Sequence, residues 1–349
     1  MKVSRRTFVA GGTALTALIL GNLPRRATAQ TGGLNLYSSR HYDTDERLYS
    51  SFGEVNRIEG KATELIARIE SEGERSPADV LLTVDAGNLW FADQAGLFQP
   101  VDSTRLNRRI PENYRHNKGH WFGFSTRARA VYYRKGEVEL PANFSYEDLA
   151  DSEWAGKVLI RSSSNIYNKS LIASLIANHG EPLMKDWLAA FMGNMARPPQ
   201  GNDTAQLKAC AAGEGDLAVA NSYYYARLIK AGANGDREAQ DVVDKVGIFF
   251  PNQEGQYDRG THVNISGGGV LATSPNPEAA VRFLEHLAST ASQRWFADGN
   301  NEYPVVAGVD LSATLESMGD FKRDTATPVQ AYGEHQQAAV RLMDQVGWA

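Results

Sequence analysis

Short apolar runs alternate with amphipathic stretches in the first third of the chain that follows the leader. The pattern predicts strands over residues 34–39 and 78–84, and helices over residues 64–72 and 88–96. Alternating strands and helices are typical of a largely parallel sheet that is covered by helices on both faces. The hydrophobic pattern therefore predicts an α/β fold.

The later part of the chain adds longer extended segments. Residues 121–125 and 128–133 are predicted as two extended segments joined through Thr126 and Arg127, long enough to run from one lobe into another. Other predicted strands and extended segments cover residues 158–160, 217–220, 247–251, 262–270 and 301–305, and helices are predicted over residues 171–177, 184–195 and 278–290. Because the mature chain is longer than one compact core usually holds, we expect two lobes.

The glycine triplet at residues 267–269 is the one motif that could be taken for a phosphate loop. It lacks the Gly-Lys-Ser/Thr ending that places the lysine and hydroxyl against a phosphate. We therefore expect a flexible or closely packed strand edge at these residues.

The first 29 residues have the composition of an export signal. A basic start precedes a weakly apolar run over residues 8–20, which is too short to span a bilayer, and Ala-Thr-Ala at residues 27–29 fits a cleavage site. Residues 4–9, Ser-Arg-Arg-Thr-Phe-Val, look like a twin-arginine signal. We expect export to the periplasm by the twin-arginine pathway, with the protein already folded.

Charge and cysteine content exclude several classes of partner. The formal net charge is −5, and all charges of the leader are basic, so the mature part is more acidic still. This sign argues against nucleic acid or an anionic membrane as a partner. The single cysteine, Cys210, excludes an intramolecular disulfide, and no cysteine at the cleavage site could carry a lipid anchor. Neither G-x-S-x-G nor H-E-x-x-H occurs, so we expect no enzyme activity and no direct membrane anchor.

Tyrosines follow the ends of several predicted strands. In open α/β sheets, ligands collect at the carboxyl ends of the strands. Neighbouring residues on the first turn of a helix fan out by about 100°, so two adjacent tyrosines can converge on one atom. The residues at these strand ends are His41, Tyr42, Tyr167, Tyr223 and Tyr224, with Arg127 and Arg227 at comparable positions.

This set of side chains suits a hard trivalent cation. Such a cation prefers oxygen donors, and the phenolate is a strong anionic one. The phenol has an ordinary pKa of about 10, so only a highly charged metal ionises it at neutral pH. Arginines beside the phenolates would hydrogen-bond their oxygens and offset surplus negative charge. The clustered thiolates that would indicate zinc or copper are missing from the sequence, in which Cys210 is the only cysteine.

On these motifs the chain resembles the periplasmic ferric-ion-binding proteins of bacterial ABC importers, a transferrin-like group of class II solute-binding proteins, and most closely their cyanobacterial subgroup. The resemblance covers the mature chain and is carried by residues 36–42, 79–86, 96–100, 160–168, 221–227 and 301–305. It implies a type II periplasmic binding protein with two lobes, each a mixed, mainly parallel sheet flanked by helices. The lobes would comprise residues 30–126 plus 250–302 and residues 127–249 plus 303–349, joined by crossing hinge strands.

The resemblance also implies the ligand set. Tyr42 from the first lobe, and Tyr167, Tyr223 and Tyr224 from the second, would coordinate Fe³⁺ in the cleft between the lobes. His41 aligns with a histidine that ligates in some members and points away in others, so its role stays open. Arg127 and Arg227 would lie beside the phenolates, in place of the anion that some relatives use, and Tyr225 would be a packing residue. Several members have a glutamate ligand in the first lobe, and we match no residue of this sequence to it.

The implied function is binding of ferric iron and its delivery to an inner-membrane ABC permease with its ATPase, by a monomeric protein. Two other ligand classes suit the same fold. An anion such as phosphate, sulfate or a phosphonate would use backbone amides near residues 162–164, with Arg161. An organic cation such as thiamine or a polyamine would stack on residues 223–225.

Overall fold

The computed structural model describes residues 33–40 and 42–348. The predicted leader and His41 lie outside the described residues. Within the described part of the chain, no helix combines the length and the apolar character needed to cross a membrane.

Nine strands and thirteen α-helices are present in the described residues. The strands are β1 (Leu34–Ser38), β2 (Val55–Glu59), β3 (Val80–Val84), β4 (Phe122–Arg134), β5 (Val158–Leu159), β6 (Leu217–Asn221), β7 (Val246–Phe249), β8 (Val263–Val270) and β9 (Tyr303–Pro304). The helices are α1 (Glu46–Ser50), α2 (Ala62–Glu72), α3 (Ala86–Gln94), α4 (Thr104–Arg109), α5 (Ile166–Asn194), α6 (Asp203–Ala211), α7 (Ser222–Ala233), α8 (Arg237–Lys245), α9 (Pro277–Leu287), α10 (Thr290–Asp298), α11 (Ala313–Ser317), α12 (Ala331–Glu334) and α13 (Gln336–Gln345).

The long strand β4 connects two sets of strands. Its first part pairs with β8 and β9, and β8 continues through β3 to β1 and β2. Its second part pairs with β6 and β7, and β6 pairs with β5. A mixed sheet flanked by helices was expected and is confirmed. Among the described strands, however, three pairings are parallel and five are antiparallel, because β4 and β8 pair antiparallel with every neighbour they have.

The two extended segments predicted at residues 121–125 and 128–133 are extended in the structure, but they form one continuous strand, β4, without an interruption at Thr126 and Arg127. Thr126 and Arg127 lie inside the strand, where they pair with residues of β8. Both side chains are buried, and the Arg127 guanidinium donates a hydrogen bond from Nη1 to Ser266 Oγ at 3.1 Å. Backbone pairing with β8 and these side-chain contacts keep the polar pair inside the strand, although Arg127 Nη2 has no hydrogen-bond partner among the described residues.

The start of α5 also differs from the prediction. The helix begins at Ile166 rather than at Leu171, so Tyr167 lies on its first turn and not in a preceding loop. The two helices predicted over residues 171–177 and 184–195 belong to this one element, which is interrupted at Gly180 (φ 77°, ψ 161°). The helix starts directly after the Asn165 cap. The predicted helix was placed on the apolar residues from Leu171 onward, and it therefore missed this first turn.

The glycine triplet is closely packed, as expected, but it does not form a sheet edge. Gly267, Gly268 and Gly269 lie in β8 between β3 and β4. A Cβ atom built on Gly269 would come 2.2 Å from the carbonyl oxygen of His120, closer than any side chain tolerates.

Strand β2 was not predicted from the sequence. Its sequence Val-Asn-Arg-Ile-Glu is half-exposed, because the strand pairs on one side only, with β1.

Candidate metal-binding site

Tyr42 follows β1, in a segment that is fixed by a buried arginine. Arg40 is 1% exposed, and its Nε lies 2.7 Å from Asp45 Oδ2 while its Nη1 lies 3.0 Å from Glu302 Oε2. The same guanidinium is 4.7 Å from the centre of the Tyr42 ring. These contacts hold the segment after β1, and with it Tyr42, at the carboxyl end of the strand.

Tyr167 is positioned by the cap of α5. The Asn165 side chain accepts a hydrogen bond from the backbone N–H of Tyr167 at 3.0 Å. The next residue, Asn168, donates from Nδ2 to the carbonyl oxygens of Arg161 and Ser162. The first turn of α5 is therefore tied to the segment that follows β5.

Tyr223 and Tyr224 lie on the first turn of α7, which begins at Ser222 directly after β6 ends. A buried arginine links this turn to α5 and α6. Arg129 donates to Asp203 Oδ2 at 2.6 Å, to Asn221 Oδ1 at 3.1 Å and to Asn168 Oδ1 at 2.7 Å. Because α5 and α7 start at groups that share Arg129, their first turns are held side by side.

The four predicted tyrosines form one connected cluster. The Tyr223 hydroxyl donates a hydrogen bond to the Tyr167 hydroxyl oxygen at 3.1 Å. The Tyr223 ring centre lies 6.2 Å from that of Tyr42 in an edge arrangement and 4.3 Å from that of Tyr224. Side chains that follow three different strands thus meet at one place, as the sequence predicted.

The two predicted arginines lie over the tyrosine rings. Arg227 is exposed, and its Cζ lies 5.0 to 5.8 Å from the ring centres of Tyr42, Tyr223 and Tyr224. Arg127 is 2% exposed, and its Cζ lies 5.8 Å from the Tyr167 ring centre. We expected both arginines to donate hydrogen bonds to the phenol oxygens. Instead, both contact the faces of these tyrosine rings, as cation–π contacts.

The surroundings favour the protonated form of three of these phenols, those of Tyr42, Tyr167 and Tyr223. The pKa of Tyr167 is raised to about 12, mainly by burial and also by Tyr224, while Arg127 acts in the opposite direction. Burial is also the main cause that raises the pKa of Tyr42 and of Tyr223. Only a highly charged cation can offset this cost and take phenolate ligands at neutral pH, so the cluster selects against weakly charged ions.

Two residues of the site were missed in the sequence: Arg40 and Glu302. The buried Glu302 carboxylate accepts hydrogen bonds from Arg40 at 3.0 Å and from Ser125 Oγ at 2.8 Å, and its charge raises the pKa of Tyr42. Both residues lie in motifs that carry the resemblance, at residues 36–42 and 301–305. A charged residue inside an otherwise apolar or turn-forming motif is the signal that could have identified them.

Tyr225 does not join the cluster. Its side chain is buried, and its hydroxyl donates to the carbonyl oxygen of Val246 at 2.6 Å. This is the packing role that the sequence predicted.

Arg161, the candidate for an anion site, is committed elsewhere. Its Nη1 lies 3.3 Å from Asp203 Oδ1, a carboxylate that it shares with Arg129. The Ser162 and Ser164 hydroxyls are hydrogen-bonded to each other at 2.8 Å.

Comparison with known proteins places these observations in a family. The family model described as bacterial extracellular solute-binding protein matches residues 52–327, a range that includes Tyr167, Tyr223 and Tyr224. The chain is 59% identical over 348 residues to iron uptake protein A2 of Synechocystis sp., covering 99% of each chain.

Two solved structures are similar over nearly the whole described chain. The Trichodesmium protein IdiA (FutA), in complex with iron and citrate ligands, has a TM-score of 0.86 and 56% identity, covering 91% of this chain and 100% of that one. A ferric binding protein from Campylobacter jejuni has a TM-score of 0.83 and 38% identity, covering 90% and 100%. The two-lobed α/β solute-binding fold that the resemblance implied is confirmed.

Proposed function

Because the chain belongs to the bacterial extracellular solute-binding proteins, we propose that it binds one ferric ion in the tyrosine cluster and delivers it to an inner-membrane ABC permease for iron uptake. The ligands are Tyr42, Tyr167, Tyr223 and Tyr224. The observation that carries this proposal is the contact of four tyrosines, two of them joined oxygen to oxygen at 3.1 Å. The similar Trichodesmium protein in complex with iron and citrate, and the similar ferric binding protein from Campylobacter jejuni, support the same cargo.

Charge balance is consistent with a trivalent ion. Four phenolates exceed the charge of one ferric ion by a single negative charge, and Arg127 and Arg227 lie against the rings that would carry it. Positive charge next to phenolates stabilises their ionised form. The arginines therefore serve in place of a bound anion, and His41 or water completes the coordination.

Delivery depends on the fact that the two lobes each contribute ligands to the same ion. In the proposed division, Tyr42 belongs to the lobe of residues 30–126 plus 250–302, and the other three belong to the lobe of residues 127–249 plus 303–349. A cargo that contacts both lobes stabilises the closed state relative to the open one. The permease, driven by its ATPase, can then recognise closure as the sign of a loaded protein. Protonation of the phenolates, reduction of the ion or lobe opening would release it.

The protein works in the periplasm, and this agrees with the extracellular description of its family. We assign residues 1–29 as a twin-arginine signal, and the mature protein acts as a monomer without an anchor. Export in the folded state would let the site fill before it meets zinc and copper, which bind most nitrogen and sulfur sites more tightly. If a version of the protein that is exported in the unfolded state had the same metal content, this last step would be contradicted.

The other ligand classes are less well supported. Arg161 already contacts the Asp203 carboxylate, and the Ser162 and Ser164 hydroxyls are bonded to each other, so an anion would have to compete with existing contacts. A stacking box at residues 223–225 would need three accessible rings, and Tyr225 is buried.

The test is a visible absorption titration of the mature protein with ferric citrate. A broad phenolate-to-iron charge-transfer band should grow and saturate at one iron per chain. It should vanish in the Tyr223→Phe/Tyr224→Phe variant and persist in Tyr225→Phe, the matched control from the same helix turn. Absence of the band from the unmodified protein would overturn the proposal, and thermal-shift screening with phosphate and polyamines would follow.

A further inference from the structure

A second cluster of ligand-type side chains lies outside the tyrosine cluster. His120 Nδ1 is 2.5 Å from Asp93 Oδ1, and His116 Nε2 is 3.5 Å from Asp93 Oδ2. One ligand atom from each residue lies within 4.8 Å of the others. Within residues 33–40 and 42–348, this is the one group of three His, Cys, Asp or Glu side chains with that spacing.

Rigid backbone supports the three residues. Asp93 lies on the last turn of α3, and the two histidines flank a turn that leads into β4. The turn is closed by hydrogen bonds from His116 N to Trp121 O at 2.9 Å and from Gly119 N to His116 O at 3.0 Å. Gly119 has φ +73°, and a Cβ there would lie 2.4 Å from the Val101 carbonyl oxygen, so the turn requires glycine. The imidazoles are therefore presented by a fixed loop.

The side chains are partly accessible to solvent. Their exposed fractions are 11% for Asp93, 14% for His116 and 23% for His120. The imidazole rings are stacked with centres 4.5 Å apart, and both direct a nitrogen toward the same carboxylate. An ion can thus enter from solvent and meet three donors at once.

The donor chemistry differs from that of the tyrosine cluster. Two imidazoles and a carboxylate suit a borderline divalent ion, and three protein ligands with an open position are typical of many zinc sites. Zinc bonds of about 2.0–2.1 Å hold tetrahedral ligand atoms roughly 3.3 Å apart, so the 2.5 Å contact between Asp93 and His120 would open and separations of up to 4.8 Å would close. Both imidazoles bind in neutral form: the proton of His120 moves to Nε2, and that of His116 moves to Nδ1, which gives up its 3.3 Å contact with Lys118 N–H.

We propose that Asp93, His116 and His120 form a second metal site, which binds one divalent transition-metal ion of the Zn²⁺ class independently of the ferric ion. The site shares no residue with the tyrosine cluster, so each can be filled or removed without the other. A chain with both sites separates its cargo by chemistry, with hard ferric iron on phenolates and a borderline divalent ion on imidazoles.

The experiment uses the Tyr223→Phe/Tyr224→Phe variant as background, so that the phenolates do not contribute. After treatment with a chelator, it is dialysed against Zn²⁺ alone, and bound metal is measured per chain. One zinc should bind in the background protein and in a version that also carries His335→Ala, a control histidine from outside the cluster. Adding His116→Ala and His120→Ala should weaken zinc binding by at least tenfold.

A thermal readout separates metal binding from a purely structural role of the cluster. Zinc should raise the unfolding temperature of the background protein by mass action and leave that of the double-histidine variant unchanged. The same two substitutions in the otherwise unmodified protein should keep the ferric charge-transfer band, which shows that the chain still folds. Equal zinc binding with and without the histidines, or no zinc binding by the background protein, would overturn the proposal. The ferric titration is read separately, so failure of one site leaves the other testable.

Discussion

The Tyr223 hydroxyl donates a hydrogen bond to the Tyr167 hydroxyl oxygen at 3.1 Å, although the two residues lie 56 positions apart in the chain. This distance is close to that between two ligand atoms of one metal ion. The bond uses the Tyr223 phenol proton, so a ferric ion that binds both oxygens must displace that proton. Loading of iron and loss of phenol protons are therefore one event.

Ferric binding should release protons from the cluster. The pKa of Tyr167 is raised to about 12, so this phenol enters the reaction protonated at neutral pH. Apparent affinity should rise with pH, about tenfold per unit for each proton released. We expect Tyr167→Phe to release about one proton fewer than the unmodified protein, measured by calorimetry in buffers of different ionisation enthalpy. Tyr225→Phe should release the same number as the unmodified protein, and an unchanged release by Tyr167→Phe would contradict the assignment.

Arg127 should contribute more to ferric affinity than Arg227. Arg127 is buried beside Tyr167 and lowers the pKa of that phenol, whereas Arg227 is exposed and its charge is screened by water. We expect Arg127→Met to weaken ferric binding by at least about tenfold, or about 1.4 kcal/mol, in competition with citrate. Arg227→Gln should have a smaller effect. Equal losses in the two variants would show that burial does not matter here.

The ion pair between Arg40 and Glu302 should dominate the stability of the segment around Tyr42. Both partners are buried, and loss of one partner of such a pair typically costs about 3–5 kcal/mol. Because Arg40 keeps Asp45 as its second partner, we expect Glu302→Gln to lower the free energy of unfolding in urea by less than this, about 1–3 kcal/mol.

An exposed pair provides the control for this measurement. Glu181→Gln removes the partner of Arg341 on the surface and should change the free energy of unfolding by about 1 kcal/mol or less. The double variant Arg40→Met/Glu302→Gln should lose less than the sum of its single changes, because Arg40→Met alone leaves both Glu302 and Asp45 unpaired, whereas the double variant leaves only Asp45 unpaired. Strict additivity would mean that the pair is not coupled.

His262 should make the protein sensitive to acid. Burial lowers the pKa of His262 to about 3, with the positive charges of Arg129, Arg259 and Arg127 adding to the effect. In the unfolded chain its pKa is about 6.5, so below that pH the unfolded state binds more protons. The contribution of His262 to stability is therefore fully present above about pH 6.5 and is lost as pH falls toward 3, by about 1.4 kcal/mol per unit.

Denaturant unfolding of the iron-free protein at pH 7 and pH 5 measures this contribution. Between these values the unmodified protein should lose about 2 kcal/mol more stability than His262→Gln does. The control His335→Gln should behave like the unmodified protein. If the unmodified protein and His262→Gln lost the same free energy of unfolding, another group would be responsible for the acid sensitivity.

Local sequence patterns predicted many of the elements because these patterns depend on near neighbours. The buried run 217–220 and the strand of residues 78–84 were recognised from apolar residues alone, and β6 and β3 confirm them. The pattern failed where a buried polar residue finds hydrogen-bond partners that are distant in the chain. Arg127 interrupts the apolar pattern of β4, and the strand continues because Arg127 pairs with Asn264 of β8 and its guanidinium donates to Ser266.

The residue types of the tyrosine cluster were evident in the sequence, whereas its internal contacts were not. Phenol chemistry and the positions after strand ends pointed to Tyr42, Tyr167, Tyr223 and Tyr224, and the structure brings all four together. The role of His41 stays a prediction, because this residue lies outside the described residues. The placement of the arginines over ring faces depends on side-chain packing between elements, which periodicity does not encode.

The amino-acid sequence was enough to specify the chemistry: phenol oxygens without clustered thiols, an acidic balance and the strand ends at which the tyrosines lie. The arrangement came from packing. Arg129 aligns the first turns of α5 and α7, Arg40 and Glu302 fix Tyr42, and Asp93 meets two histidines across a turn. These contacts join residues that are far apart in the chain. Donor type is a property of a single side chain, whereas distance, burial and pKa are properties of neighbours that only the folded chain brings together.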